Sequence, residues 1–356
     1  MVIVIHRWAA GRVLQILEGT EKALFPPRNT DDDRSGHSDG QGAPSLTLLR
    51  RLSADDVDLE DARYDPFAGM PPLVRAMRLL QWTKNLLVFA ALIFARSVFD
   101  LDPLLRSAGA FAAFCAVSSS VYLLNDVRDV KQDRLHPIKR YRPIATGEVQ
   151  PKLALWTAGL LTVGGLATAF LVRTELSLVL ALYVVMMMAY NAGLKQVVIL
   201  DVIIISLGFV FRAAAGAVAI SVPISPWLYI CTLVLALLVG FGKRRHEMLT
   251  LQDAASLHRQ NLDTYTVNLL DQIIAITAAA TIVAYSIYTF ESPTLPSNHA
   301  MLITIPIVMY SVFRYLYLMY IKRLGGSPEV LLVRDRPLLL SVGVWVVVSG
   351  AILYWA

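Results

Sequence analysis

The chain has 356 residues, of which 56% are hydrophobic and 17% charged, and its formal net charge at pH 7 is +5. This hydrophobic fraction is too high for a soluble protein of that length, so soluble globular classes are excluded. The two cysteines, Cys115 and Cys231, both lie in apolar runs, which excludes a disulfide framework and a zinc site. The composition therefore predicts a polytopic membrane protein.

The first seventy residues differ in composition from the rest of the chain. Val2–Leu17 is too short to cross a bilayer, although it could lie on the membrane surface as an amphipathic helix. Asn29–Pro44 is rich in Asp, Ser, Gly and Gln, which is typical of disorder. We therefore predict a disordered, linker-like extension over residues 1–70, dispensable for chemistry, and a transmembrane domain over residues 71–356.

Nine apolar segments downstream of Met70 are candidates for membrane-spanning helices. They are hydrophobic on all sides and joined by short loops, which favours an all-α bundle in lipid. The predicted spans are Lys84–Phe99, Leu104–Leu124, Leu153–Val172, Leu176–Ala192, Val197–Ile220, Pro226–Gly242, Val267–Phe290, Met301–Ile321 and Pro337–Trp355. The first is short and contains Arg96, so we expect this helix to begin earlier, near Leu79.

Positive residues are distributed unevenly between the two sets of connections. The connections after the second, sixth and eighth spans are rich in Lys and Arg, and the short one after the fourth contains Lys195. On the other side, Asp100–Pro103, Ser221–Ser225 and Glu291–Ala300 contain no Lys or Arg, and Arg173–Glu175 contains one Arg. The positive-inside rule therefore predicts that every even-numbered span exits into the cytoplasm of a bacterial plasma membrane.

An acidic segment, Asn125–Arg142, follows the second span and reads NDVRDVKQDRLHPIKRYR. Asn125, Asp129 and Asp133 are four residues apart, so a continuing helix places them on one face, with Asp126 beside it. This row indicates an Mg²⁺ site that grips a diphosphate, because Mg²⁺ takes one or two carboxylates and completes its shell with water and phosphate oxygens. The alternative is a solvated helix end with scattered charges.

Basic residues close this segment, where phosphate oxygens left over by a metal would need donors. They are Lys139, Arg140 and Arg142. The whole pattern, N-D-x-x-D-x-x-x-D followed by R-x-R-P and Gly147, resembles the first aspartate-rich motif of the UbiA superfamily of intramembrane prenyltransferases. The resemblance implies a nine-helix UbiA-type transmembrane bundle that binds Mg²⁺. The implied metal ligands are Asn125, Asp126, Asp129 and Asp133.

Two other segments extend the resemblance. R-x-x-Q-W-x-K-N, ending at Lys84 and Asn85, is similar to the segment that opens the first helix in this superfamily, which implies that both residues face a polar cavity. Periodicity alone favours a membrane-interface anchor there. Tyr190 and Lys195, followed by Asp201, are similar to a further motif of the superfamily.

Asp201 is also a candidate from physical chemistry, because an intramembrane carboxylate is expensive and is by default a functional-site candidate. Arg212 lies eleven residues further on nearly the same helix face, about 16 Å away at 1.5 Å per residue, which is too far for a direct bond. Each residue is therefore expected to have a partner on another helix or in a cavity. The alternative role is a structural interhelical salt bridge.

The sequence departs from the superfamily after the sixth span. Aromatic prenyltransferases of this type have a second motif there, D-x-x-x-D, whereas this chain has four basic residues. They are Lys243, Arg244, Arg245 and His246. Their sign suits phosphate rather than metal, although positive-inside charge alone would also explain basic residues here. K-R-R-H-E, together with R-D-R-P at Arg334–Pro337, resembles the branch that transfers 5-phosphoribosyl groups to polyprenyl phosphates.

That branch implies transfer from phosphoribosyl pyrophosphate to a long-chain polyprenyl phosphate such as decaprenyl phosphate, a step towards cell-wall arabinan precursors. The lipid phosphate is already an anion, so attack on C1 of the ribose needs no general base. The reaction needs a neutralised leaving group and a stabilised oxocarbenium-like centre. The residues assigned to catalysis are Lys84, Asp126, Asp129, Arg140 and Asp201. Those assigned to binding are Lys139, Arg142, Tyr190, Lys195, Lys243, Arg244, Arg245 and, with an open role, His246.

Two alternatives stay open. A prenyltransferase that moves a polyprenyl group from its diphosphate to an aromatic acceptor would use the same fold, but it needs the missing second carboxylate pair. A transporter with Asp201 and Arg212 along an ion path is disfavoured, because the charges cluster at one membrane face. The expected partners are phosphoribosyl pyrophosphate, a polyprenyl phosphate and the lipid bilayer, with no nucleic acid. A homo-oligomer is compatible with the sequence. The length of the lipid chain is not defined by it.

Overall fold

The structure, a computed structural model, describes residues 69–135, 139–223, 225–251, 265–292, 295–326 and 328–355. Every regular element within these ranges is a helix, which confirms the all-α prediction. The predicted disordered extension lies outside the described residues except for its last two, Gly69 and Met70. The amphipathic helix predicted at Val2–Leu17 lies outside them entirely.

Thirteen α-helices follow one another along the described ranges. In chain order they are α1 Pro72–Ala76, α2 Ala90–Phe94, α3 Leu101–Arg128, α4 Val130–Leu135, α5 Pro143–Thr146, α6 Pro151–Val172, α7 Thr174–Ala192, α8 Leu200–Ile220, α9 Pro226–Leu251, α10 Val267–Glu291, α11 Ile305–Tyr320, α12 Pro328–Arg334 and α13 Arg336–Trp355. The described part also has 3-10 helices at Leu79–Phe89, Lys139–Tyr141, Leu194–Gln196 and Ala300–Thr304. Eight helices in the described ranges are long and apolar enough to cross a membrane, namely α3, α6, α7, α8, α9, α10, α11 with its preceding 3-10 turn, and α13.

The first predicted span is shorter than the other eight. It begins at Leu79 as expected, but it ends at Phe94 rather than Phe99, which corrects the predicted boundary. Its first 11 residues form a 3-10 helix, which rises about 2.0 Å per residue instead of 1.5 Å. With α2 it therefore reaches roughly 30 Å, about the thickness of the hydrocarbon core. The tighter winding gives a short segment the length of a full span.

Gly216 in α8 allows this first span to pack closely. A β-carbon at Gly216 would lie 1.9 Å from the carbonyl oxygen of Val88 in the 3-10 helix. No larger side chain fits without moving one backbone away from the other.

Gly216→Ala is expected to destabilise the protein by about 1–3 kcal/mol, the usual range for overpacking. The measurement is thermal unfolding of the purified protein in detergent. Gly159→Ala in α6 is the matched control, because nothing lies within 4 Å of its β-carbon position. Equal unfolding midpoints for the two variants would contradict the close approach of Gly216 to Val88.

Helix α8 joins two apolar clusters. Its first turn contributes Val202 to a cluster with α9, α10 and α11, and its last turns contribute Ala215 and Ala219 to a cluster with α3, α6 and α7. A third cluster around Leu123 and Ile144 packs beneath the acidic segment. Helix α8 therefore links the two halves of the bundle, one at each of its ends.

Arg212, near the middle of α8, is only 6% exposed. Its Nε donates to Oδ1 of Asn85 at 2.7 Å, its Nη2 to the hydroxyl of Tyr183 at 3.2 Å, and its Nη1 to the carbonyl oxygen of Gly208 at 2.6 Å. Three aromatic rings surround the guanidinium, those of Phe114, Tyr183 and Phe209. Arg212 thus has its expected partners on other helices. Asn85 is enclosed by this network, which corrects the expectation that it faces a cavity.

Candidate active site

The acidic segment begins in the last turn of α3 and continues into α4. The amide of Asp129 donates to the carbonyl of Asn125 at 2.9 Å, and that of Asp133 to the carbonyl of Asp129 at 2.8 Å, so helical spacing continues across the junction. Asp126 and Asp133 are buried, 2% and 3% exposed, whereas Asn125 and Asp129 are half-buried. Such buried carboxylates need cationic or hydrogen-bonding partners.

Arg142 joins the two buried carboxylates. Its Nη1 donates to Oδ1 of Asp126 at 3.1 Å and to Oδ2 of Asp133 at 2.7 Å. Arg142 is extended, as expected for a residue before proline, and Pro143 then starts α5. Burial raises the pKa of the Asp133 carboxyl, an effect that Arg142 opposes. Burial and the neighbouring charge of Arg78 lower the pKa of Arg142.

Arg78 completes this group, and sequence reasoning did not assign it to the site. Its Nη2 donates to Oδ1 of Asp126, and its guanidinium lies 4.9 Å from the ring centroid of Tyr122. Burial is the largest influence on the pKa of Arg78 and lowers it, but the charge and hydrogen bond of Asp126, together with Tyr122 and Asp133, outweigh burial, so the pKa is raised. The one feature of the sequence that could have indicated Arg78 is its position at the start of R-x-x-Q-W-x-K-N. On periodicity alone, that segment is interpreted as a membrane-interface anchor.

Lys195 binds the third carboxylate of the row. Its Nζ lies 2.8 Å from both Oδ1 and Oδ2 of Asp129. Lys195 belongs to the 3-10 turn between α7 and α8, so this contact ties that connection to the acidic segment. The structure therefore brings together two motifs that are separated by 66 residues in the sequence.

Asp201, in the first turn of α8, is completely buried and both of its oxygens are occupied. Nε of Arg244 donates to Oδ2 at 2.8 Å, and the hydroxyl of Tyr265 donates to Oδ1 at 3.0 Å. Arg244 also pairs with Glu247 one turn later. Burial raises the pKa of Tyr265 to about 12, so its hydroxyl keeps its proton at neutral pH. Sequence reasoning did not assign Tyr265 or Glu247 to the site, although Glu247 is the last residue of K-R-R-H-E.

The other predicted residues lie around these pairs. Arg140 is exposed and donates to the hydroxyl of Tyr141 at 2.7 Å. Arg245 donates to Asp271 and lies 4.4 Å from the ring centroid of Tyr320. The remaining residues show three degrees of exposure: Lys84, Lys139 and His246 are half-buried, Tyr190 is buried and Lys243 is exposed.

The R-D-R-P motif has a structural position. Asp335 accepts a hydrogen bond from the amide of Leu338 at 2.8 Å and thereby caps α13. Arg314 of α11 donates to the same carboxylate at 2.7 and 3.0 Å. The hydrogen bond from Arg314 lowers the pKa of Asp335. This motif therefore fastens the last helix to α11.

The carboxylates of the acidic segment and Asp201 are all paired with Arg or Lys in the described structure. Within the described ranges, no three Asp, Glu, His or Cys side chains converge as a metal cage. A cation and a phosphate that bind together can replace the internal pairs, because carboxylates suit the cation and Arg or Lys suit phosphate oxygens. The fold and site thus define a multi-pass membrane protein with a cluster of paired carboxylates and basic side chains at one end of its bundle.

Comparison with known protein families identifies the family of this chain. The model of the UbiA prenyltransferase family matches residues 86–332, and the chain belongs to this family.

Three relatives that share one enzyme name match most of the chain. Decaprenyl-phosphate phosphoribosyltransferase of Mycolicibacterium smegmatis is 34% identical over 307 residues, which cover 82% of this chain and 96% of that protein. The protein of that name from Mycobacterium tuberculosis is 35% identical over 297 residues, covering 82% and 98%. The one from Corynebacterium glutamicum is 30% identical over 279 residues, covering 77% and 84%.

Solved structures share the fold. A UbiA homologue from Archaeoglobus fulgidus bound to GPP and Mg²⁺ has a TM-score of 0.62 at 18% identity, covering 79% of this chain and 99% of that one. An apo UbiA homologue from Aeropyrum pernix has a TM-score of 0.59 at 17% identity, covering 75% and 96%.

Proposed function

We propose that this protein is a phosphoribosyltransferase that moves the 5-phosphoribosyl group of phosphoribosyl pyrophosphate onto a long-chain polyprenyl phosphate, such as decaprenyl phosphate. The observation that carries the proposal is the basic end of α9, where Arg244 holds Asp201 and no D-x-x-x-D motif occurs. The names of the mycobacterial and corynebacterial relatives support it. The product would supply cell-wall arabinan precursors.

The site residues fit Mg²⁺ as the cofactor. Asp126 and Asp133 each direct one oxygen at a single cationic nitrogen of Arg142, so the space between them already accommodates positive charge. Mg²⁺ is usually held by one or two carboxylates together with substrate phosphates, and two carboxylates converge here. When bound, Mg²⁺ would neutralise the negative charge that develops on the leaving pyrophosphate. Asn125 and Asp129, on the adjacent turns, are the other proposed ligands.

The basic partners of these carboxylates become phosphate donors in this proposal. When Arg142 leaves its two carboxylates, its planar guanidinium can bind two oxygens of the diphosphate. Arg78 and Lys195 are each paired with one carboxylate of the row. In this proposal they also leave their carboxylates and bind phosphate oxygens. Lys84, Lys139 and Arg140 are proposed to bind the remaining phosphate oxygens. The Lys243–Arg245 cluster and His246 are proposed to receive the lipid phosphate.

The reaction then needs no general base. An oxygen of the lipid phosphate attacks C1 of the ribose, and the bond from C1 to the diphosphate oxygen breaks with its electron pair on the departing pyrophosphate. Donors placed around the leaving group stabilise the charge that it gains. Asp201 is completely buried beneath Arg244 and Tyr265, so a contact with a ribose hydroxyl requires one of these side chains to move. Its proposed role in the structure as it stands is to position Arg244.

We further propose that the site opens to the cytoplasm of a bacterial inner membrane. The paired charges lie at the ends of the second, fourth and sixth predicted spans, and the connections that follow the second and sixth are rich in Lys and Arg. Phosphoribosyl pyrophosphate is a water-soluble anion that must approach from an aqueous side. The lipid chain of the acceptor can lie between apolar helices.

Arg78→Gln is expected to lower phosphoribosyl transfer by roughly 10–100-fold, mainly through a higher KM for phosphoribosyl pyrophosphate. The physical reason is the loss of one charged hydrogen-bond donor in a partly buried site, a loss of about 1.5–3 kcal/mol. Initial rates over a range of substrate concentrations measure the effect. Arg75→Gln is the matched control, because Arg75 pairs with Glu148 at the surface. Equal kinetics for both variants would remove Arg78 from the site.

The test of the function is transfer of label from [¹⁴C-ribose] phosphoribosyl pyrophosphate into lipid in membranes that contain this protein and a polyprenyl phosphate. We expect transfer with Mg²⁺ and none after chelation. The competing prenyltransferase makes the opposite prediction. It would leave the label in the water-soluble fraction and would transfer the polyprenyl group from a polyprenyl diphosphate to an aromatic acid, with release of pyrophosphate.

A further inference from the structure

A cavity lies at the opposite end of the bundle from the candidate active site. Its volume is about 290 Å³, and it lies between the end of the first span and the connection from α8 to α9. Ala91, Phe94 and Leu228 give it an apolar wall, and Arg96 and Ser225 give it two polar groups. The bundle separates this cavity from the carboxylates of the acidic segment, so it does not belong to the proposed reaction.

Ser225 contributes a buried hydroxyl without a protein partner to this cavity. The residue is only 5% exposed, and its hydroxyl has no hydrogen-bond partner within the described structure. Most buried hydroxyls in folded proteins are hydrogen-bonded to protein or to another molecule. This one lines the cavity, so a polar atom of a ligand there would satisfy it.

Arg96 is the second unusual group at this end. Two other arginines at the same end bind carboxylates: Arg106 is 2.8 Å from Asp102, and Arg173 is 2.8 Å from Glu175. Arg96 is exposed and forms no ion pair within the part of the chain that the structure describes. Arginine is uncommon at the face that the positive-inside rule makes external, so an uncompensated one calls for an anionic partner.

We propose that this cavity binds an anionic glycerophospholipid. The guanidinium of Arg96 holds the phosphate of the headgroup, for which its planar donors are suited. Ser225 donates to a phosphate or ester oxygen, and the first methylene groups of one acyl chain lie against Phe94 and Leu228. A free phosphate ion would use only the polar half of the cavity and leave its apolar wall unfilled.

The experiment is native mass spectrometry of the purified full chain titrated with phosphatidylglycerol or with diacylglycerol of the same acyl chains, which lacks the phosphate. We expect one phosphatidylglycerol to bind roughly tenfold more tightly than diacylglycerol, the ratio that one charge-assisted hydrogen-bonded pair provides. Arg96→Gln should reduce this preference to less than about twofold, and Ser225→Ala should weaken it by a few-fold. Arg106→Gln is the matched control and should keep the preference, because Arg106 is already paired.

Three results would overturn the proposal. The first is equal binding of both lipids by the wild-type protein. The second is an equal loss of preference in Arg106→Gln, which would mean that only the total charge of this face matters. The third is full competition by soluble glycerol 3-phosphate, which would make the cavity a site for free phosphate esters rather than for lipid.

Discussion

Asp129→Asn is expected to lower phosphoribosyl transfer by about a thousandfold while the protein keeps its fold. Asp129 is half-buried and bonded to Lys195 through both oxygens, and it is a proposed ligand of Mg²⁺ on the diphosphate. Asparagine keeps the size of the side chain but removes the charge, so the metal and the diphosphate lose a stabilising group that acts in the transition state. Losing one such group in an enclosed site typically costs 10²–10³ in rate, and metal affinity falls as well. The measurement is the initial rate of label transfer at saturating lipid.

The matched control for this variant is Asp102→Asn. Asp102 is also a carboxylate paired with a basic residue, Arg106, but it lies at the other end of the bundle. The Asp102→Asn variant should transfer label at the same initial rate as the wild type. If Asp129→Asn retained more than about a tenth of the wild-type rate, the assignment of Asp129 to the metal would be wrong.

Asp201→Ala is expected to destabilise the folded protein by about 3–5 kcal/mol, because it leaves Arg244 buried without its carboxylate. Arg244 is only 6% exposed, and Asp201 is completely buried, so water cannot replace the lost partner. The hydroxyl of Tyr265 loses its acceptor in the same variant. The measurement is unfolding of the purified protein in mixed detergent micelles as the mole fraction of dodecyl sulfate rises.

Asp271→Ala provides the comparison for the buried pair. Asp271 also pairs with an arginine of α9, Arg245, but its side chain is 33% exposed. Water reaches Asp271, and Arg245 keeps its contact with the ring of Tyr320, so this variant should be destabilised less than Asp201→Ala and closer to the about 0–1 kcal/mol of an exposed pair. A similar small effect for both variants would show that Arg244 is compensated by Glu247 alone.

The sequence predicted the membrane spans well because their signal is local. A run of apolar residues long enough to cross the bilayer is visible without knowledge of the fold. The spacing of Asn125, Asp129 and Asp133 also depends only on helix geometry, and the backbone hydrogen bonds preserve it. The first span was predicted less well, because the 3-10 winding of Leu79–Phe89 leaves no mark in hydropathy.

The partners of the charged residues could not be predicted in the same way. The pair Lys195 and Asp129 links residues 66 apart, and the hydrogen bond between Tyr265 and Asp201 spans 64. A single sequence shows which charges exist but not which of them meet after folding. Arg78 is the clearest example, because its position at the membrane interface explained its charge before its contact with Asp126 was seen.

The exchange of ion pairs is the physical centre of the proposed mechanism. In the structure, Arg78 and Arg142 together neutralise Asp126 and Asp133, and Lys195 neutralises Asp129. The buried charges are thus compensated by one another. In the proposed mechanism, the carboxylates then bind the metal, and the arginine and lysine side chains bind phosphate. In the proposed function, the arginine and lysine residues that stand in place of a second carboxylate motif supply positive charge for the phosphate of the lipid.

The most direct test is the mass of the lipid product formed by the purified protein from phosphoribosyl pyrophosphate, a polyprenyl phosphate and Mg²⁺. The account predicts a polyprenyl phosphate that has gained one 5-phosphoribosyl group, with one pyrophosphate released for each product molecule. An unmodified polyprenyl phosphate under these conditions would contradict it. The contradiction would be complete if the same preparation prenylated an aromatic acid from a polyprenyl diphosphate.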